Sequence, residues 1–481
     1  MSTTELLRRE WSAFRRPGRL VALAAAALAI IGLGLLYAVA TRASCEGTCP
    51  AAPVAADGSV VSDRFWFVHR DLGRQGSVTV RLASMTGTIT YPPPDHDQIV
   101  PGLVPWAKAG VIVKDGVRQG SAYAALSMTG SHGVHFQHDY RYDVAGSAGS
   151  SPRWLRLTRS GDTITAFDSV DGQQWHTVGT ATLAGLPDTA QVGLFATSPG
   201  DLTVDGPVDQ FRFSQAVGVF DHLAVTGGSR AWRSEAVGEM NHTDWEKHSN
   251  PSGSVEKDGV TTVSGTGDIG PLPEDPAFGP RSLLPGLLIA LIIVLITAAA
   301  YGAKTARDRA ATADARAARA AVIGLAAFLT TLLSAGIVVP VGLAILRGNG
   351  IAVQSVSVLT GAGVVVGLAT VVGLCAVFAF GLGVWLRRGW AATVVGLALV
   401  AVPYGVTVLP LLSDSAAEWL LRLTPAAAFA VQQTSTEYPQ VTAHYAPAAG
   451  YFPLPWWLGL AVLCGYTALV GRRVVQASEA A

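Results

Sequence analysis

Apolar and polar residues are segregated along this chain into long blocks. Six runs, Leu20–Ala40, Leu283–Ala303, Ala320–Leu346, Val358–Leu386, Gly389–Leu412 and Leu454–Gly471, contain no charged side chain. A helix of about 20 apolar residues crosses hydrocarbon roughly 30 Å thick, so each run predicts a membrane-spanning helix. Between the first and second runs lies a polar insert, 41–282, with a different rhythm. There, short β-branched and aromatic runs alternate with turn signals. Arg153–Arg159 reads as a strand closed by Ser160-Gly161-Asp162, Thr163–Asp168 returns, and Val170-Asp171-Gly172 turns again before Trp175–Val178. Consecutive hairpins of this kind predict antiparallel sheet. Further strands are expected at Ser77–Arg81, Ala109–Val113, Tyr123–Met128, Val134–His138, Gln191–Thr197, Phe220–Thr226 and Val260–Val263. So many short strands imply two packed sheets, a sandwich or jelly roll.

The fold class expected is a polytopic α-helical membrane protein of six transmembrane helices with an inserted all-β, jelly-roll-like extracytoplasmic domain. Its expected parts are a cytoplasmic amphipathic elbow (1–19), a linker (41–58), the sandwich (59–215) and a β appendage with stalk (216–282). A cytoplasmic loop with a short helix (304–319), an outer or re-entrant loop (413–453) and a tail (472–481) complete it.

Charge orients this arrangement. Although the net charge of the 481 residues is zero, the short segments are asymmetric. Arg8, Arg9, Arg15, Arg16 and Arg19 precede the first run, and Lys304, Arg307, Arg309, Arg316 and Arg319 lie between the second and third. Arg387, Arg388, Arg472 and Arg473 fall on the same side, against Arg347 and Arg422 on the other. The positive-inside rule puts both termini in the cytoplasm and 41–282 outside. The first run, too long for a signal-peptide core and preceded by nineteen residues, is expected to remain as an anchor.

Candidate chemistry is sparse. Leu7, Trp11 and Phe14 recur at helical spacing among arginines, which predicts an interfacial elbow anchored by Trp11 and Phe14. Cys45 and Cys49, just outside the first run, form a disulfide loop or stay reduced; two cysteines do not fill a zinc shell. His132, His135 and His138 alternate faces in a strand, with the outer two about 20 Å apart, so solvated histidines rather than a metal site are expected. The spacing Gly363-x-x-x-Gly367 fits a dimer contact or intrachain packing equally. No ionisable side chain lies within the runs, which argues against a proton relay. No Gly-x-x-x-x-Gly-Lys-Ser/Thr phosphate loop occurs, so this chain is not expected to hydrolyse ATP. Catalytic residues, metals and nucleic-acid binding are not expected.

Two resemblances refine this picture. Trp106–Val111, Gly133–Gln137, Pro152–Leu157, Ser169–Trp175 and Val192–Phe195 resemble the laminin-G/concanavalin-like jelly-roll family over 59–215. That resemblance implies a glycan or other envelope ligand on one sheet face, or a scaffold. Ala320–Phe328 after a basic segment, Glu418–Phe429 followed by Gln432-Gln433, and Pro453–Tyr466 resemble permeases of type-2 ABC exporters of actinobacterial kind, over 1–40 and 283–475. This second resemblance implies a bacterial plasma-membrane exporter subunit with a second permease copy, identical or not. ATP and Mg²⁺ would then belong to a separate cytoplasmic ABC ATPase, gripped through Arg307, Arg309, Arg316 and Arg319. The large outer insert departs from that family's short first loop. The alternative is a membrane-anchored glycan-binding or sensor protein without transport.

Overall fold

The computed structural model describes residues 3–43, 51–90, 98–205, 208–228, 231–240, 251–272, 278–308 and 310–479. They form two compact units, one of 52–273 with 438–444 and one of the remaining chain.

The helical unit opens with α1 (Thr3–Phe14) and α2 (Pro17–Ala40). Pro17 occupies the first turn of α2, where its missing N–H is harmless, and the preceding Arg16 is extended as a pre-proline residue must be. The chain then forms α3 (Leu287–Arg307), α4 (Ala313–Gly348) and α5 (Val358–Leu386). The next span is broken into α6 (Gly389–Gly396), a π-helical turn (Leu397–Ala401) and α7 (Val402–Val408). After α8 (Asp414–Leu423) and a 3₁₀ segment (Pro425–Gln432), α9 (Trp456–Glu479) closes the unit. Six of these stretches are long and apolar enough to cross a membrane.

Small residues set the closest packing. A Cβ on Gly302 of α3 would lie 2.1 Å from the Phe380 carbonyl oxygen, and one on Gly383 of α5 would lie 2.3 Å from that of Ala299. Backbone thus meets backbone where α3 crosses α5. Gly367 admits Val431 of the 3₁₀ segment, whereas Gly363 has open space. Of the two uses open for Gly363-x-x-x-Gly367, intrachain packing accounts for Gly367.

In the β unit two sheets face each other. One runs β11 (His176–Thr182), β10 (Thr163–Ser169), β9 (Arg153–Ser160), β3 (Gln75–Thr90), β15 (Ser214–Thr226), β18 (Val260–Gly265), β17 (Gly253–Lys257), with β4 (Ile99–Pro101) beside β3. The other runs β16 (Arg233–Val237), β2 (Phe65–Leu72), β12 (Ala190–Thr197), β5 (Lys108–Lys114), β6 (Tyr123–Thr129), β7 (Val134–His138), β8 (Tyr142–Ala145). Alternation explains the layering. Leu155 and Leu157 of β9 point inward to Val111, Leu126, Val192 and Phe220, while Trp154 and Arg156 point out. A hairpin of β13 (Asp201–Asp205) and β14 (Val208–Arg212) stands apart from both sheets. The region 60–270 is a β-sandwich.

Two expected boundaries change. The 216–282 appendage dissolves, because β15 pairs with β3 and carries β18 and β17, while β16 extends the other sheet. Phe220 of β15, Val263 of β18 and Val237 of β16 bury in the sandwich. The separate helix expected over 304–319 is absent among the described residues. Instead α3 continues to Arg307 and α4 begins at Ala313, capped by Thr312 Oγ1, which accepts from the Ala315 N–H at 3.2 Å.

Candidate functional site

The residues singled out in the elbow and the basic segment converge, in part, on one cleft of the helical unit. Local structure puts them there. Lys304 and Arg307 fall in the last turn of α3, where cations offset the helix dipole. Arg319 sits two turns into α4. Its Nε donates to Glu10 Oε2 at 2.8 Å and its Nη1 to Asp308 Oδ2 at 3.0 Å. Glu10 is buried, at 4% exposure, so α1 is tied to α4 by a charge pair that water barely reaches. The Arg319 guanidinium also holds the Asp308 carboxyl below its usual range.

Aromatic contacts repeat the tie. Phe14 is fully buried and lies 5.6 Å from the Tyr301 ring, which lies 5.4 Å from Phe380. Trp11 stacks on Phe14 at 5.8 Å with its outer face exposed. Arg19 covers the Tyr301 ring at 3.8 Å and donates to the carbonyl oxygens of Ala13 and Phe14 at the end of α1, the latter also accepting from the Arg16 N–H. The resulting cleft encloses about 700 Å³.

The four arginines expected to form one surface do not do so. Arg307 and Arg319 line this cleft. Arg316 instead lines a smaller one of about 210 Å³ among α4, α5 and α9, and its Nε is buried without a partner. Arg309, Cys45 and Cys49 lie outside the described residues. No group of three or more His, Cys, Asp or Glu side chains able to hold a metal ion occurs among the described residues.

Sequence reasoning missed a polar contact inside the bundle. Gln432 in the 3₁₀ segment is fully buried, bonds Tyr404 Oη of α7 at 3.1 Å, and lies beside the Tyr404–Phe429 stack with centroids 4.0 Å apart. The only available sign was a Gln-Gln pair ending an apolar stretch.

In the β unit the two outward faces differ. That of the seven-stranded sheet is closed by the chain itself, with Phe65, Phe67, Ile112 and Phe195 beneath Val61 and Ile269 of β1 (Val61–Asp63) and β19 (Ile269–Pro271). Under this cover Lys114 and Asp63, both fully buried, pair at 2.7 Å. Tyr140 Oη donates to the same Asp63 oxygen at 2.6 Å, and Lys114 also donates to the Ser121 carbonyl at 3.0 Å. Burial pulls the Lys114 pKa down despite Asp63, and pushes the Tyr140 hydroxyl up.

The eight-stranded sheet leaves side chains open. Arg156 lies 3.8 Å over the Trp175 ring, and Trp154 packs 5.3 Å from His222. His222 has a φ of 53° at an irregularity in the β3–β15 register, beside an Arg81–Asp221 pair bonded at 2.7 Å through Nε. The Ser169–Trp175 corner forms as expected: Asp171 accepts from the N–H groups of Gln173 and Gln174 at 2.8 Å each, and Trp175 Nε1 donates to the Gly172 carbonyl at 3.2 Å. Of the three histidines expected to be solvated, His132 is exposed and His138 half-buried, but His135 is not solvated. His135 is buried and bonds Asp143 at 2.9 Å, and His132 stacks on Trp106 at 4.0 Å.

No protein-family model matches this chain, and no curated protein matches it. Among solved structures it is similar to a functionally unknown protein from Saccharomyces cerevisiae, 14% identical, over 40% of this chain and 94% of that one, with a TM-score of 0.23. It is also similar to the GH43 protein BlXynB from Bacillus licheniformis, 15% identical over 32% of this chain and 28% of that one, TM-score 0.21. A point mutant of that protein gives 15% identity, 26% and 24% coverage and a TM-score of 0.18. Likenesses this slight carry no argument about fold or activity.

Proposed function

We propose that this chain is the membrane-spanning permease subunit of an ATP-binding-cassette exporter in a bacterial plasma membrane. In this reading the termini and the α3–α4 turn face the cytoplasm, and the jelly-roll-like sandwich faces outward. Energy comes from a separate ATPase subunit, and a second permease copy, identical or not, completes the path. The observation that carries the reading is the double tie between elbow and turn, Glu10–Arg319–Asp308 and Phe14–Tyr301. Through it, a push on the 308–312 turn is delivered to α1, α3 and α4 together. A chain that merely anchors an outer domain has no use for that linkage. Support also comes from the agreement of the resembling stretch Trp419–Gln433 with a compact segment, α8 followed by a buried 3₁₀ turn.

Coupling falls to the exposed Arg307 together with Arg309, while Arg319 holds the elbow in place. The full chain, extracted in mild detergent from the cells that make it, is expected to retain an ATP-hydrolysing subunit. Arg307→Glu should weaken that retention by about 2 kcal/mol or more, the scale of one broken charge contact at an interface. Absence of any ATPase from the extracted complex overturns the reading.

A second reading draws on the open face of the eight-stranded sheet. Trp154, Trp175, Arg156 and the Arg81–Asp221 pair offer ring faces and hydrogen-bonding groups together, the chemistry that suits a glycan of the cell envelope. In the permease reading this face recruits such a ligand; in a membrane-anchored sensor it would be the whole function. Glycan capture by a complex that lacks an ATPase supports the sensor.

A further inference from the structure

We propose that the cleft between α1, α2 and the α3–α4 turn binds the phosphate headgroup of an anionic membrane lipid. The proposal rests on the membrane-spanning part of the reading above and not on the ATPase.

Charge is the first support. Arg16, Arg19, Lys304, Arg307 and Arg319 line the cleft, with Asp308 as the only carboxylate among its described lining residues. Arg319 is already bonded to Asp308 and Glu10, and Arg19 to two carbonyls and the Tyr301 ring. Arg16, Lys304 and Arg307 are exposed and have no carboxylate partner among the described residues. Three uncompensated cations around one concavity repel one another until an anion enters. A phosphodiester brings one negative charge and oxygens that accept from guanidinium and ammonium groups.

Position is the second. The cleft lies where apolar α2, α3 and α4 give way to Arg and Lys, which is headgroup depth for helices crossing a bilayer. Beside it lies α1, whose exposed Trp11 and Leu7 face outward as an interfacial helix requires. Shape is the third. Ala13, Ala300, Ala303 and Gly389 form small-residue walls, so the glycerol of a lipid meets no competing side chain, and about 700 Å³ exceeds what a free phosphate ion fills.

Native mass spectrometry of the full chain in neutral detergent tests this with phosphatidylglycerol and phosphatidylcholine of equal chain length. Phosphatidylglycerol should bind at least tenfold more tightly. Each cation near an anionic headgroup is worth about fivefold, so Arg16→Gln with Lys304→Gln should weaken it roughly 25-fold and leave phosphatidylcholine unchanged. Should the double variant fail to fold, Lys304→Gln alone is expected to lose about fivefold and Lys304→Arg to lose nothing. Equal binding of the two lipids overturns the site. Displacement of phosphatidylglycerol by millimolar inorganic phosphate assigns the cleft to a soluble anion and overturns the lipid. No ATPase enters the measurement, so this proposal and the permease reading fail separately.

Discussion

The two units each hold a charge cluster, and the clusters are built to opposite ends. In the sandwich, Lys114 and Asp63 are both wholly buried, and the ammonium donates to Asp63, Ser121 and Tyr140 at once. In the helical unit, Arg319 bridges a buried Glu10 and a 40%-exposed Asp308 at the wall of an open cleft. One cluster locks a sheet under its cover strands; the other ties α1 to α4 at a surface and leaves cations to spare. Ion pairing alone therefore does not mark a functional site. What distinguishes the second is unspent charge beside empty volume.

Three perturbations sharpen this contrast. The largest effect is expected from Lys114→Met, which strands the Asp63 carboxylate in the interior. Removing one partner of a buried pair costs roughly 3–5 kcal/mol, so denaturant unfolding followed by near-ultraviolet circular dichroism should shift by that amount. A neutral result would mean that water reaches the pair. Glu10→Gln should cost less, about 1–3 kcal/mol, because Arg319 keeps Asp308 and its cleft admits water. Its clearer signature is faster hydrogen exchange along α1 with the sandwich unaffected; exchange rising in both units would erase the distinction.

The smallest effect concerns pH. Arg81 holds the Asp221 carboxyl down at about 2, against an ordinary 3.8. A lowered folded-state value stabilises at pH above the unfolded value, and the gain is lost as pH falls through the folded one. Sandwich stability should therefore fall between about pH 4 and pH 2 by about 1 kcal/mol, after screening at the partly exposed Arg81. Asp221→Asn should flatten that window, and an unchanged slope would remove the pair from the account.

Much of the architecture was legible because its causes are local. Uninterrupted apolar runs located the six candidate spans, Val358–Leu386 to the residue, and β-branched and aromatic runs between turn signals located the strands at Val134–His138 and Arg153–Arg159, the latter extending one residue further to Ser160. Pairing between distant segments was not legible. Nothing near β15 announces that its partner is β3, which is why 216–282 read as an appendage. The strand Phe65–Leu72 went unnoticed although its Phe-Trp-Phe-Val run carries the aromatic signature of a buried strand.

The site was half legible for the same reason. Trp11 and Phe14 at helical spacing do share one helix, α1, whose Phe14 is buried in the bundle. Arg316 and Arg319, one turn apart, read as a single surface. A carboxylate 309 positions away in sequence captures Arg319, while Arg316 turns toward α5 and α9. Neighbours on a helix share a face only until a distant partner claims one of them.

The side of the membrane on which the α3–α4 turn lies decides whether an intracellular ATPase can reach it. In a background with Cys45, Cys49, Cys375 and Cys464 replaced, a single cysteine at Ala310→Cys in the turn or Val170→Cys on the sandwich can be probed in intact cells with a membrane-impermeant maleimide. The cysteine at 170 should label at once and that at 310 only after permeabilisation. Labelling of position 310 from outside intact cells would leave an intracellular ATPase nothing to push on, and would contradict the permease reading.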